Sequence, residues 1–374
     1  MESLSVVQVT HTFPPYVGGL SHVCEMLSKH LSNLGHEVSV VTLDPSGRLK
    51  SIDHCNGVTV RRFPCIAPAN AYFLPSAKIL PYLRSLSADV VHVHNIGALL
   101  VPATYFAVRR SPAGLKFVVS PHHHEEGSMW HTRLLWKPYG PLARRILRES
   151  DAVHCVSEFE AETVRREFGV DPIVVPNGVA ADVHSIVWRP PEHHVVLTYA
   201  GRLEAYKRID VMLKACASLA KHGLKVTARV IGEGPALADL RHLAESIGVQ
   251  MEACGFLPRD EYLRMLSTSS CFVNLSRYEA FSIVVAEAVS IGVPVVASLP
   301  WAKTFDGYGM LRMVDGESPE QVAAAVLELL SSKRLPPTPV PTWGTVARRI
   351  VHEVYLGGEA EKPEGWYGRG GETI

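Results

Sequence analysis

Short runs of β-branched and other apolar residues alternate with segments of helical period from one end of the chain to the other. That alternation is the signature of parallel strands wrapped by helices, so the pattern predicts an α/β protein. In the first half the runs Val6–Thr10, Glu37–Thr42, Val58–Arg62, Asp89–His92, Lys116–Val119, Ala152–Val156 and Ile173–Val175 predict strands. Leu20, Val23, Leu27, Leu31 and Leu34 fall on one helical face after the first of them. Gly35 ends that helix, because glycine tolerates the left-handed conformation of a helix cap. Another helix opens at Ser157, with Glu160 three residues on as a capping box.

The second half repeats the logic, with strands expected at Val195–Tyr199, Val226–Ile231, Met251–Cys254, Cys271–Leu275 and Pro294–Ala297. Helices over Ile209–His222, Ala236–Ile247 and Ser282–Ile291 each stop at a glycine, at Gly223, Gly248 and Gly292. The polar stretch from Val187 to His194, with Pro190 and Pro191, marks the boundary between halves. The expected architecture is therefore two Rossmann-like domains, 1–188 and 189–342, facing a central cleft. A closing helix, Trp343 to Tyr355, is expected to pack across the domain junction, with a loose tail from Gly357.

Composition narrows the picture further. A chain of 374 residues, 47% of them hydrophobic, suits two cores rather than one. Lys+Arg and Asp+Glu balance at 37 each, so the overall charge does not mark a nucleic-acid binder. The seven cysteines are scattered and never in Cys-x-x-Cys spacing, which fits reduced thiols in a cytosol. Leu4 to Thr10 reads as a strand directly after Met1, so a signal peptide is not expected. The most apolar stretch, Ile283 to Ala297, is broken by Glu287 and Pro294 and falls short of the about 20 residues a membrane span needs.

Chemistry concentrates at strand ends, where parallel-sheet proteins bind ligands. Arg202 and Lys207 follow Gly201 after a strand, and their charge suits a diphosphate. Alone, they read first as solvated surface cations. Glu279 precedes the Ser282–Ile291 helix and Glu287 lies within it, so the helix amino terminus opens between them with its unpaired amides. Ala280, Phe281 and Ser282 would offer backbone amides to a phosphate, and ionised carboxylates accept hydrogen bonds from sugar hydroxyls. The plainer alternative makes Glu279 a first-turn acid and Glu287 a core acid in an ion pair.

In the first half, Gly18 and Gly19 stand between the first strand and first helix, where a backbone can approach a ligand closely. Gly-x-Gly-x-x-Gly and Gly-x-x-x-x-Gly-Lys-Ser/Thr are both absent, which disfavours hydride transfer and P-loop hydrolysis. His122-His-His124-Glu-Glu126 follows another strand, so one imidazole is expected to face the cleft. Adjacent residues do not easily converge on one ion, and Asp-x-Asp occurs nowhere, so no metal and no cofactor are expected. Trp130, Arg133, Trp136, Lys137, Tyr139, Arg144, Arg145 and Arg148 mix aromatic and basic side chains. That mixture suits an anionic membrane surface, or an ordinary helix with a basic exposed face.

Taken jointly, Gly-Arg-Leu-x-x-x-Lys at Gly201, Ile-Gly-Glu-Gly-Pro at Ile231, Cys-Gly-Phe-Leu at Cys254, Glu-x7-Glu at Glu279 and Gly-Val-Pro-Val-Val-Ala at Gly292 resemble family 4 retaining glycosyltransferases of the GT-B fold. The likeness is strongest over Val195 to Ser298 and extends more weakly over nearly the whole chain, including Val174–Val179 and the helix at Trp343. The resemblance implies that Arg202 and Lys207 hold the donor diphosphate, Glu287 the ribose and Glu279 the transferred sugar, with amides near Phe281 to Ile283 helping. Gly255-Phe256-Leu257 would flank the base, and Gly18 and Gly19 would approach the diphosphate. His122, with His124 as the fallback, would lie near the anomeric carbon. The implied reaction moves a sugar from a UDP- or GDP-linked donor to a glycan, lipid-linked saccharide or polyol hydroxyl, with retention and without metal, on the cytoplasmic side.

Two departures from the family pattern stand out. Ala280 replaces a common glycine, and Leu299 to Tyr308 lacks the usual proline-glutamate and glycine pattern. A sugar-nucleotide epimerase or phosphorylase of the same fold, or a non-catalytic sugar-nucleotide-binding subunit, would share most of these signals.

Overall fold

In the computed structural model, residues 3–67, 73–109, 114–123 and 130–359 are described. The chain divides into two units at Asn177/Gly178, and the segment from Trp343 returns to the first. The sequence placed that boundary eleven residues later, at 188/189. Residues 178–188 belong to the second unit because the 3₁₀ turn Ala181–Ser185 is fastened there: His184 Nε2 donates to Val340 O at 2.9 Å, and Asp182 pairs with Arg259 at 3.3 Å.

The first unit is built on strands β1 (Ser5–Val9), β2 (Glu37–Asp44), β3 (Ile52–Cys55), β4 (Val58–Ile66), β5 (Leu74–Pro75), β6 (Val90–His94), β7 (Lys116–Ser120), β8 (Ala152–Cys155) and β9 (Ile173–Val174). Its sheet runs β3-β4-β2-β1-β6-β7-β8-β9 with β5 on β4, parallel except for the β3 and β5 pairings. Its helices are α1 (Gly19–Asn33), α2 (Ile79–Arg84), α3 (Leu100–Val108), α4 (Trp130–Arg148) and α5 (Glu158–Phe168). The expected capping box is present: Ser157 Oγ accepts from Glu160 N at 3.0 Å.

Alternation along the strands gives the sheet two unlike faces. Val7, Val9, Val91, Val93, Val119 and Val153 pack with Leu83, Tyr105, Ile146 and Leu147 in one apolar core. Gln8, His92, His94, Ser120 and His154 occupy the alternate positions and are buried as well.

The second unit carries β10 (Val195–Ala200), β11 (Val226–Ile231), β12 (Gln250–Gly255), β13 (Cys271–Asn274), β14 (Val295–Ser298) and β15 (Leu311–Val314), with α6 (Ile209–Lys221), α7 (Leu237–Ser246), α8 (Arg259–Ser267), α9 (Ile283–Ile291) and α10 (Pro319–Ser331). Every pairing is parallel, in the order β12-β11-β10-β13-β14-β15. This is a doubly wound sheet with its switch point between β10 and β13, where a crevice opens beyond the strand ends. All six residues of β10 are buried, which explains the near-continuous apolar reading of this strand.

The closing helix crosses back to the first unit as expected, where α11 (Trp343–Arg349) packs against α1 and is followed by a π-helical turn over Ile350–Tyr355. Trp343 is buried with its ring edge-on to His22, and Lys116 Nζ donates to Tyr355 O at 2.9 Å, satisfying a carbonyl at the helix end. The tail beyond residue 359 lies outside the described residues.

Candidate active site

In the second unit, the loops that follow β10 and β13 meet at the switch point. Arg277 N donates to Tyr206 O at 3.0 Å, and beside that link Lys207 Nζ donates to Glu279 Oε1 at 2.6 Å. Both side chains are largely covered, at 12% and 17% exposed. Burial works against the lysine's charge, but Glu279, with Tyr206 beneath the ammonium, outweighs it and raises the Lys207 pKa. Lys207 therefore stays cationic. Arg202 lies in the same loop but extends outward, 66% exposed, and pairs with Glu204 at 2.9 Å.

Glycines hold this loop by close backbone approach. Gly201 N donates to Ile231 O at 3.0 Å, Leu203 N to Glu233 O at 2.9 Å and Gly232 N to Gly255 O at 2.8 Å. A Cβ on Gly232, whose φ is +127°, would sit 2.0 Å from Gly201 O, and one on Gly234 would sit 2.4 Å from Leu203 O. Backbone cannot yield as a flexible side chain does. Gly232→Ala is therefore expected to destabilise this domain by about 2–4 kcal/mol, read as a lowered denaturation midpoint; an unchanged midpoint would refute the close approach.

Beyond Glu279 the chain enters α9. Its N-cap, Ser282, receives a hydrogen bond from Asn274 Nδ2 at 3.0 Å, but α9 has no side-chain cap and no acid in its first turn. The partial positive charge of this helix end is thus not balanced by the helix's own residues at Phe281, Ser282 and Ile283. The unusual Leu299–Tyr308 segment supports the loop from behind. Trp301 Nε1 donates to Ser276 O at 2.7 Å, and Phe305 packs on Phe281 with ring centroids 5.1 Å apart.

Glu287 is buried on α9, and both of its oxygens are engaged. Arg259 Nη1 donates to one, and Tyr262 OH donates to the other at 2.6 Å. The ion-pair alternative for this residue is thus realised, and the carboxylate keeps further lone pairs for hydroxyl donors. Arg259 and Tyr262 escaped the sequence reading because α8 was not recognised; Pro258 followed by Asp260 and Glu261 is its start signal. Phe256, just past β12, is 63% exposed, a large apolar side chain standing in solvent.

In the first unit, Gly18 is the N-cap of α1 in extended conformation, and Gly19 begins the helix. A Cβ at either would meet nothing within 4 Å, so the described packing leaves room for close approach there. His122 follows β7 in a left-handed conformation, φ +46°, unusual for a side chain of this size. Two neighbours hold it: His94 Nδ1 lies 3.1 Å from His122 Nε2, and Glu160 Oε1 accepts His123 N at 2.8 Å. Burial lowers the His122 pKa to about 3, and burial also raises that of Glu160 to about 7. His124, Glu125 and Glu126 lie outside the described residues. Among the described residues no His, Cys, Asp or Glu cluster is arranged to hold a metal ion.

The aromatic-basic stretch forms part of α4, with the side chains of Trp130, Arg133, Trp136 and Lys137 outside the described residues. Arg144 and Arg148 turn to the end of α5, donating to Glu167 O at 2.7 Å and Phe168 O at 3.2 Å. Arg145 pairs with Glu149, and Tyr139 OH donates to Ile96 O. Two of the arginines in this stretch thus cap a helix carboxyl end. Among the described residues no helix is long and apolar enough to cross a membrane.

A Rossmann-ordered sheet with a lysine–glutamate pair at its switch point, joined to a second Rossmann-like unit, defines a GT-B protein. Residues 17–183 match the model of Glycosyltransferase Family 4, and residues 184–337 that of Glycosyl transferases group 1. The chain belongs to this glycosyltransferase family. It is 28% identical over 315 residues to the GDP-mannose:cellobiosyl-diphosphopolyprenol alpha-mannosyltransferase of Xanthomonas oryzae pv. oryzae, covering 79% of each chain. It is 24% identical over 313 residues to the phosphatidylinositol N-acetylglucosaminyltransferase GPI3 subunit of Saccharomyces cerevisiae, covering 79% of this chain and 68% of that one. Among solved structures, a sucrose-phosphate synthase from Thermosynechococcus elongatus superposes with a TM-score of 0.68 at 17% identity, covering 94% of this chain and 95% of the other.

Proposed function

We propose that this protein is a retaining, metal-independent glycosyltransferase that moves a sugar from a UDP- or GDP-linked donor to an acceptor hydroxyl, the acceptor being a lipid-linked saccharide or glycan at the cytoplasmic face of a membrane. The observation that carries the reading is the largely covered Lys207–Glu279 pair, 2.6 Å apart, beside the amino end of α9. Lys207 and the α9 amides stabilise the departing diphosphate, and Arg202, exposed and on a mobile stem, swings onto it when the donor binds. Glu287 accepts hydroxyls of the ribose, Phe256 flanks the base, and Gly18 and Gly19 admit the diphosphate to the first unit's helix end. Glu279 positions the transferred sugar and His122 accepts a hydrogen bond from one of its hydroxyls. The acceptor oxygen bonds to the anomeric carbon on the face that the diphosphate leaves; the carbon–oxygen bond to phosphate breaks, and the acceptor proton passes to the departing phosphate oxygen.

The lipid-linked acceptor is supported by the relatives, whose names carry a diphosphopolyprenol and a phosphatidylinositol. Since Arg144 and Arg148 serve α5, lipid contact rests on other residues. The reading is tested by titrating the protein calorimetrically with UDP, GDP and their sugars, first without metal and then with magnesium. Metal-independent binding of one nucleotide, weakened at least tenfold in Arg202→Ala, is expected. Binding unaffected by Arg202→Ala removes that residue from the site, and binding without turnover over many acceptors favours a sugar-nucleotide-binding subunit.

A further inference from the structure

Eight groups, on four strands, the segments that follow β7 and β9, and the return helix, form one continuous hydrogen-bonded row on one face of the first unit's sheet. His122 Nε2 lies 3.1 Å from His94 Nδ1, and His94 Nε2 lies 2.6 Å from Gln8 Oε1. Gln8 Nε2 donates to Tyr355 OH at 2.9 Å, which lies 2.9 Å from His92 Nδ1. His92 Nε2 and His154 Nδ1 each lie 2.7 Å from Ser120 Oγ, and His154 Nε2 lies 2.8 Å from Val175 O. Burial lowers the pKa of all four imidazoles, so each is neutral and carries one proton.

These constraints fix every proton in the row. Val175 O only accepts, so His154 carries its proton on Nε2 and accepts at Nδ1. Ser120 must then donate to His154 and accept from His92 Nε2. His92 Nδ1 is left to accept from Tyr355 OH, which in turn accepts from Gln8 Nε2. The Gln8 carbonyl oxygen faces His94, whose proton must sit on Nε2, and His94 Nδ1 accepts from His122 Nε2. The Gln8 amide orientation agrees with the direction imposed from the Val175 end, because the flipped amide would require a second proton on His92.

We propose that this row, with Tyr355 as its central link, holds His122 as the single tautomer protonated at Nε2, leaving Nδ1 as a hydrogen-bond acceptor for a sugar hydroxyl. The proposal rests on the reading that His122 faces the sugar. Gln8, His94 and Tyr355 are positioning residues: they act through His122. The return helix contributes the hydroxyl that joins Gln8, and through it His94 and His122, to His92, Ser120 and His154, and its π-helical turn ends at that residue.

Removing the Tyr355 hydroxyl frees the row to reverse. With no acceptor for Gln8 Nε2, the amide can turn its NH₂ toward His94; the His94 proton then moves to Nδ1, and His122 must accept at Nε2 and carry its proton on Nδ1. Ser120→Ala releases the same constraint from a smaller side chain, and serves if Tyr355→Phe does not fold.

The test is nitrogen NMR of the full-length protein with ¹⁵N-labelled histidine, the His122 ring signals being identified by their loss in His122→Asn. The wild type is expected to show one His122 tautomer, protonated at Nε2, and Tyr355→Phe and Ser120→Ala a mixture in which each ring nitrogen is partly protonated. A packing role alone would lower stability and leave the tautomer unchanged. The proposal is overturned by a proton on Nδ1 in the wild type, or by folded variants that both keep the wild-type tautomer. Failure of the underlying reading is separately visible, as unchanged turnover in His122→Asn while the tautomer results stand.

Discussion

Lys207→Ala is expected to reduce turnover by about 10²–10³-fold and to weaken binding of the nucleoside diphosphate by about 10²-fold, because a fixed cation in a largely water-excluded loop is lost from the departing group. Its partner sharpens the interpretation. Glu279 lies 2.6 Å from the ammonium and is only 17% exposed, so the variant also leaves a carboxylate without its counterion, which is expected to cost about 1–3 kcal/mol of stability in a partly covered site. Glu279→Gln makes the opposite change, removing charge while keeping an oxygen for Lys207, so it should retain or strengthen diphosphate binding while lowering transfer. If Lys207 merely neutralised Glu279, the double variant would recover stability and nucleotide affinity would never change. Calorimetry and steady-state rates on the three variants separate these outcomes, and unchanged affinity in Lys207→Ala would remove the clamp.

Acid is expected to unfold the first domain before the second. His11, His92, His94, His122 and His154 all lie in that domain, and burial lowers each pKa: to about 4 for His11 and His154, to about 3 for His122, and well down for His92 and His94. A histidine whose folded pKa is depressed takes up its proton in the unfolded chain first, so the stability it contributes is present above about pH 6.5 and is lost as pH falls toward 4. Glu160 has the opposite sign. Its pKa is raised to about 7, so the folded state holds a proton there that the unfolded chain releases, and this offsets one histidine between about pH 4.5 and 7. Five protons taken up against one give a limiting slope of about 5 kcal/mol per pH unit, against a total stability of about 5–15 kcal/mol for a typical domain. Calorimetric scans should show a first-domain transition that drops steeply between pH 6.5 and 5, leaving a second that moves little. Transitions that fall together, or neither moving, would contradict the buried neutral state.

Much of this protein was legible in one dimension. The helix and strand periods, the capping box at Ser157 and Glu160, and the glycines at helix ends depend on neighbours within a few residues, and the structure places them within a residue or two of expectation, except that β4 runs on from the expected Arg62 to Ile66. The close-packed glycines of the Gly201 and Gly232 loops could be read as motifs, although only the structure gives their cause, backbone against backbone. Strands β3, β5 and β15 went unread because short edge or terminal strands carry little apolar pattern of their own, and α8 because its Pro-Arg-Asp-Glu start resembles a polar turn.

The sequence by itself determined which residues carry charge at the ends of strands, because strand polarity and loop position follow from local pattern. Tertiary structure alone decided which of them meet. Arg202 and Lys207 read as an equivalent pair, yet one stands in solvent beside Glu204 and the other is largely covered and held on Glu279, a difference set by contact between loops far apart in the chain. Val90-Val-His-Val-His94 reads as a strand in any context; that its two imidazoles are neutral and joined through Gln8 and a tyrosine from the last helix depends on distant segments displacing water from the same face of one sheet.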